Sequence, residues 1–390
     1  MGIHNESSRV KKGIFESEMR RRLWWSLVLF DHRVCELSDS KATMLAPIWD
    51  CKIPLNVNDF DLRPDMKVLP TIYEQPSEAL FVTVRGELGD FVRHSSFHLD
   101  FTNPSLRLVA GNVRSASDAD DDGLAALEKS LEDRYLRLCN LENPVHFMTV
   151  WMTRAWLAKY RLFQYLCQYP HPSAEQTDVM RSNAIKDAIS FLDCDTKLTS
   201  SPLAKRFTWL HELQFPLPAY IYLVQDLTKQ PLKDDAELKW KVMDVNYQAH
   251  FLIIEVADNL LFRALGKNIL EAWAALEVAS GTQGTPFQAP HMVTDIKLVM
   301  THRMQKVQTR KMHQRGDTTS TRSYDSAASS LPSPMNSANQ PQQYGGGDQG
   351  FVDPTLPAYQ SGLDDLMSSN KGLDMDMIDW NAILMQSQGW

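Results

Sequence analysis

Apolar residues recur along most of the chain at intervals of three and four, the mark of helices with one dry face. The series Phe15, Met19, Leu23, Leu27, Phe30 and Val34 runs along one such face, with Glu16 and Glu18 in the first turn, where the helix dipole favours acid. That face is expected to pack in a core, and Trp24 and Trp25 to anchor the helix there. Prolines at 47, 54, 64, 70 and 76 then read as a loop over 47–76. Helical spacing returns over 78–97, 124–141 and, most strongly, 145–169, where Tyr169-Pro170-His171-Pro172 is a stop signal. Further helices are expected over 174–193, 203–228, 234–264, 268–279 and 292–312. Alternating Val/Ile/Thr runs bounded by turn residues are nearly absent, and no fixed-period repeat is found. The pattern predicts an all-α, multi-helix domain over residues 1–312.

Beyond Arg315 the composition changes to Ser, Thr, Pro, Gly, Gln and Asn. Such a stretch cannot bury enough apolar surface to offset its chain entropy. Residues 313–362 therefore read as a disordered linker, and 363–390 as a short acidic, amphipathic end. Charge follows the same division. Residues 316–390 hold nine aspartates against Arg322 and Lys371, a net of −7 out of the chain's −8. The neutral remainder offers no broad electrostatic footprint for nucleic acid, and the acidic tail points to a protein partner. No run of apolar residues is long enough to span a membrane, and residues 1–12 are polar and charged rather than a secretory leader. The five cysteines, Cys35, Cys51, Cys139, Cys167 and Cys194, form no Cys-x-x-Cys pair. That argues against a disulfide framework and against a cysteine-built zinc site.

Glu18-Met19-Arg20-Arg21-Arg22-Leu23-Trp24-Trp25 is the motif that most invites a nucleic-acid reading, since guanidinium groups pair phosphates and indoles stack on bases. Helix geometry argues otherwise. Successive residues turn by ~100°, so the arginines fan out, and Glu16 and Glu18 are spaced to pair with Arg20 and Arg22.

With Ile3-His4 before it, and Asp31, Pro54-Leu55-Asn56 and Asn58-Asp59-Phe60-Asp61-Leu62 after it, this segment resembles the middle homology region of fungal-specific transcription factors. The match covers about residues 2–65, in the family's order and spacing, and the helical pattern to about 300 is compatible with the rest. The resemblance implies an all-helical regulatory domain that usually follows a DNA-binding zinc binuclear cluster. The six cysteines of that cluster are absent, so no cofactor is expected and no DNA-contacting residue carries over. On the same resemblance the chain begins inside the family domain, at Gly2-Ile3-His4. It is then either a shortened regulator or the product of a truncated reading frame.

At the other end, Leu373, Met377, Trp380 and Leu384 follow i, i+4, i+7 and i+11 and share one helical face, with Asp374, Asp376 and Asp379 off it. Such a segment docks into a hydrophobic groove, and it resembles acidic transcriptional activation segments. The alternative is a terminal helix packed on the body. Leu363-Asp364-Asp365-Leu366-Met367 is a weaker copy. Arg303, Lys306, Arg310, Lys311 and Arg315 read either as a nuclear import signal or as a solvated helix end.

Enzyme-like patterns fail on context. The Gly-x-Gly-x-x-Gly match at 345–350 lies between no strand and no helix. Asp118-Ala119-Asp120-Asp121 reads as a solvated loop or helix start, and His94, His98 and Asp100 lack a fourth metal ligand. Asn5-Glu6-Ser7 is a glycosylation triplet without a secretory route. The chain is expected to be a nuclear transcription regulator of a pathway or biosynthetic gene set. Its expected partners are coactivators or a full-length transcription factor, with no specific DNA binding of its own and no membrane. A non-activating partner of a full-length factor is the alternative, and a helical enzyme a more distant one.

Overall fold

The computed structural model describes residues 2–7, 12–37, 48–95, 120–168, 178–211, 215–251, 260–281 and 288–301. Among them the architecture is all-α. In chain order the helices are α1 (Ile14–Leu37), α2 (Leu80–Arg93), α3 (Asp120–Arg134), α4 (Pro144–Gln168), α5 (Asp178–Ser200), α6 (Leu217–Lys229), α7 (Ala236–Phe251), α8 (Leu260–Gly281) and α9 (291–301). The packing below is that of the unit that holds the described residues up to Ile296; residues 297–301 belong to a second unit.

Within the first unit, α5 lies at the centre and packs on α4, α6 and α7. Helix α2 joins α1 to α4, and α6 joins α5 to α7 and α8. The first two turns of α6, Leu-Pro-Ala-Tyr-Ile-Tyr-Leu-Val, are apolar all round, as a segment enclosed on every side must be, and polar residues appear only after them, from Gln225 to the exposed Thr228 and Lys229. It starts where Pro216 and Pro218 fix the backbone, and residues 217–224 are buried without interruption.

Polar side chains buried among these helices are matched to one another. The Tyr220 hydroxyl of α6, with one proton to donate, lies 3.0 Å from the Met243 carbonyl and 2.9 Å from Asn246 Oδ1, two acceptors that share it. Asn246 Nδ2 in turn donates to Asp195 Oδ2 of α5 at 2.8 Å, and His250 meets the same oxygen at 2.5 Å. Burial pushes the Tyr220 hydroxyl well above the ordinary tyrosine range, so it remains a donor. A second cluster ties α5, α6 and α7: Lys239, fully buried, pairs with Asp226 and Asp235, and Arg181 pairs with Asp226.

Several sequence expectations shift. Helix α5 runs to Ser200, one to two turns past the expected end. The single helix expected over 203–228 is broken into a 3-10 turn at Lys205–Phe207, one α-turn at Thr208–His211, and α6. Pro216 and Pro218 are the cause, since proline lacks the donor that an interior turn requires. Helix α7 is described to Phe251 and α8 from Leu260, with 252–259 outside the described residues, as is the end of the helix expected over 292–312.

The larger correction concerns α1. Its expected core face is the outer one: Met19, Leu23, Leu27 and Phe30 are 43%, 51%, 41% and 52% exposed. The buried face is Trp25, Val28, Leu29 and His32, at i, i+3, i+4 and i+7. The helix carries two apolar stripes, and the one holding the larger aromatic surface is turned inward.

Truncating Asp226 to Ala takes the carboxylate from Arg181 and leaves Lys239, fully buried, with Asp235 alone. It should destabilise the protein by ~3–5 kcal/mol in urea titration, whereas removing the exposed Lys267–Glu271 pair through Glu271→Ala should cost ~0–1 kcal/mol.

Candidate functional site

The residues that carried the family resemblance converge on one place, where α1, α2, the segment 2–7 and the loop 48–78 meet. Its floor is Trp25, fully buried, lying on α2 where that helix has no side chains. A Cβ on Gly89 would stand 2.9 Å from the Trp25 ring and 3.0 Å from Leu29. One turn earlier, a Cβ on Gly86 would stand 3.2 Å from Ile53 and 3.3 Å from Pro54. The Trp25 indole N–H donates to the Lys52 carbonyl at 3.0 Å, so the ring that fills the α1–α2 seam also fixes the loop. Trp49 adds its edge to both Trp24 and Trp25, with centroids 5.4 and 5.2 Å away. Arg93 of α2 lies over Trp49 at 3.9 Å and donates to its carbonyl at 3.1 Å.

Above this floor sits Glu18, only 1% exposed. Its Oε1 accepts from the Leu55 N–H at 2.9 Å and from Arg22 at 3.4 Å; its Oε2 lies 3.5 Å from Arg21 and makes no hydrogen bond. Burial pushes the Glu18 carboxyl upward, partly offset by the Leu55 N–H and by Arg22 and Arg21. Arg21 shows the reverse balance: burial alone would push it down, and Glu6 and Glu18 hold it up.

Each of the three arginines is engaged within the chain. Arg20 pairs with Glu16 at 2.8 Å, Arg21 with Glu6 and Glu18, and Arg22 with Glu18 and Asp59. Both helical spacings expected from the sequence, Glu16–Arg20 and Glu18–Arg22, are formed. Trp24 and Trp25 are structural, as expected, although they do not belong to the Met19-Leu23-Leu27 face.

The Pro-x-Asn…Asp element closes the loop on itself. Asn56, 2% exposed, donates to the Tyr73 and Gln75 carbonyls, both at 2.8 Å, and accepts from Ser77 at 2.6 Å. Asn58 Oδ1 accepts from the Glu78 N–H at 3.0 Å, and Glu78 accepts from the Asp59 N–H at 2.7 Å. Sequence reading gave no role to Glu6, Trp49, Gly86, Gly89 or Arg93. The Gly86-x-x-Gly89 spacing was the one local signal, since glycines three apart lay a strip of bare backbone along one helix face.

The arrangement is a clasp: it holds a loop and a terminal segment against two helices, and its polar groups face one another. The other chemical candidates fare as follows. His94 caps α2 and its Nδ1 is 2.8 Å from the Asp90 carbonyl, while His98 and Asp100 lie outside the described residues. Asp120 and Asp121 open α3, and Asp118 and Ala119 lie outside. Among the described residues no cluster of His, Cys, Asp or Glu is placed to hold a metal ion. Burial pushes the Cys139 and Cys194 thiols up to about 11, far from thiolate reactivity. No helix of the described residues is long and apolar enough to cross a membrane. The segment Leu373, Met377, Trp380 and Leu384, the basic run Arg303, Lys306, Arg310, Lys311 and Arg315, and the glycine run at 345–350 lie outside the described residues.

The chain that builds this clasp is similar to fungal transcriptional regulators. Transcriptional regulator AacuB of Aspergillus aculeatus is 47% identical over 300 residues, which is 76% of this chain and 40% of that protein. Transcriptional regulator nsrM of Aspergillus novofumigatus is 40% identical over 303 residues, again 76% of this chain and 40% of its own length. The aurofusarin cluster transcription factor aurR2 of Gibberella zeae is 27% identical over 295 residues. The chain thus spans about two fifths of the length of the relatives it matches. These relatives are named as regulators of transcription, not as enzymes. No protein-family model matches the chain, and no solved structure matches it.

Two outcomes test the clasp. Trp25→Ala should cost ~3–5 kcal/mol of unfolding free energy, because the surrounding helices cannot close over the lost indole. Glu18→Gln addresses pH. A carboxyl with a raised folded pKa contributes stability that is fully present below its ordinary value and is lost as pH rises through the raised one. Relative to Glu18→Gln, the parent should therefore lose melting temperature as pH is taken upward from 4, and a constant difference between the two would refute the assignment.

Proposed function

We propose that the chain regulates transcription of a biosynthetic gene set, in the nucleus, and that it acts through protein partners. The observation that carries this reading is the likeness to fungal regulators across three quarters of the chain, one of them named for the aurofusarin cluster. The engagement of Arg20, Arg21 and Arg22 inside the clasp supports the second half, because it leaves the motif nothing to offer a phosphate backbone. In this reading residues 1–312 are the regulatory body, 313–362 the linker and 363–390 the activating segment. The basic run from Arg303 to Arg315 directs import, and Leu373, Met377, Trp380 and Leu384 seat in a coactivator groove with Trp380 as anchor. Direct contact with DNA falls to another protein, a full-length factor being the natural one.

The exposed stripe of Met19, Leu23, Leu27 and Phe30 supports a second reading, in which the chain is a non-activating partner that docks through α1. A reporter separates the two. Residues 316–390 fused to an unrelated DNA-binding domain should raise output. Trp380→Ala should remove most of that signal, equivalent to at least ~1–2 kcal/mol of partner affinity, and Gln342→Ala should not. Equal output from all three favours the second reading. The purified chain should show no sequence-specific binding to duplex DNA at physiological salt, and nanomolar specific binding would refute the proposal of indirect action.

A further inference from the structure

Among the described residues, the arginines around the α2–α3–α4 contact are paired with carboxylates, except one. Arg93 holds Asp90, Arg134 holds Glu87, Arg154 holds Glu132 and Arg161 holds Glu128. Among the described residues Arg85, on the same stretch of α2, has no acid and no hydrogen bond. Its guanidinium lies over the Phe81 ring at 5.1 Å and over the Trp156 ring of α4 at 5.8 Å. Its Nε is cut off from solvent with nothing to accept from it, and so is the Trp156 indole N–H. Two buried donors on neighbouring side chains thus face no acceptor. Buried polar groups in native proteins are nearly always satisfied, so such a pair marks a place where something else binds.

We infer that Arg85, with Trp156 and Phe81, forms the anion-recognising end of a site for a small organic acid with a flat apolar body. A carboxylate is the natural complement of a guanidinium, whose parallel N–H groups meet its two oxygens. Only Nε of the three guanidinium nitrogens is sealed, and the residue as a whole keeps some surface, so the Nη edge is open to an arriving anion. Burial with no compensating charge pushes the guanidinium down to about 10, the direction that an anion would reverse. The surroundings select the rest of the ligand. Phe81 packs with Phe147, Trp151 and Phe207 against a core that includes Met148 and Met152, so the wall leading away from Arg85 is aromatic and apolar. Lys197 lies over the Trp151 ring at 4.0 Å, so the far wall adds a second cation; an inorganic anion would still find no apolar partner, whereas an aryl carboxylate would find both a cation and rings to lie against. This inference goes beyond the proposed function and does not depend on it, since the site belongs to the body and its test involves no transcription.

The test uses the full chain and three aryl acids, benzoate, salicylate and 2-naphthoate, with acetate and inorganic phosphate at matched ionic strength as comparators. At least one aryl acid should raise the melting temperature saturably, by about 2–4 °C, with a matching titration by calorimetry. Arg85→Met should abolish the response, and Lys267→Met, at an exposed ion pair of α8, should keep it. Without ligand, Arg85→Met should melt at or above the parent, because it removes an unpaired buried cation and keeps a side chain that packs on rings. The inference is overturned if none of the three acids shifts the parent or if Arg85→Met responds equally. It is also overturned if phosphate or acetate matches the aryl acids, or if unliganded Arg85→Met melts clearly below the parent.

Discussion

An indole laid flat on the backbone of a neighbouring helix sets the arrangement of the whole N-terminal region. Trp25 reaches that position because α2 presents Gly86 and Gly89 where other residues would project a Cβ. Once the ring is there, its single N–H must find an acceptor, and the Lys52 carbonyl supplies it. That bond brings Ile53, Pro54 and Leu55 beside α1, and the Leu55 N–H then meets Glu18. The carboxylate can be buried at that point only because Arg21 and Arg22 flank it, and those arginines draw in Glu6 and Asp59. The motif is therefore a sequence of obligations, each created by the burial before it.

The α5–α7 region is organised on a different principle. The first two turns of α6 are enclosed on all sides, so any polar atom that faces them must be matched within the protein. Tyr220, Asn246, Asp195 and His250 form one chain of such matches, and Asp226, Lys239, Asp235 and Arg181 another. These contacts specify which way each helix faces its neighbours, a choice that aliphatic packing alone leaves loose.

Fold class was legible because period-3.6 patterning is a local property: α1, α2, α3 and α4 appear close to where spacing and prolines put them. The break at Pro216 and Pro218 was also written in the chain, but a strong apolar run on either side hid it. The orientation of α1 was not legible. Met19, Leu23, Leu27 and Phe30 make as regular a stripe as Trp25, Val28, Leu29 and His32, and periodicity cannot rank two stripes on one helix. What ranks them is the bare face on α2, some sixty residues away in sequence. The pairs Glu16–Arg20 and Glu18–Arg22 could be read because they lie within one helix. Glu6–Arg21 and Asp59–Arg22 could not, since they depend on the loop having been folded back first.

The outward stripe of α1 has a consequence for how much of the protein a cell retains. Chaperones and degradation machinery identify damaged chains by apolar surface left in water, and they act on it whether or not the rest of the molecule is folded. A correctly folded copy with Met19, Leu23, Leu27 and Phe30 uncovered presents the same signal as a failed one. A surface that covered this face would hide that signal, and would lengthen the protein's lifetime without touching its folding equilibrium.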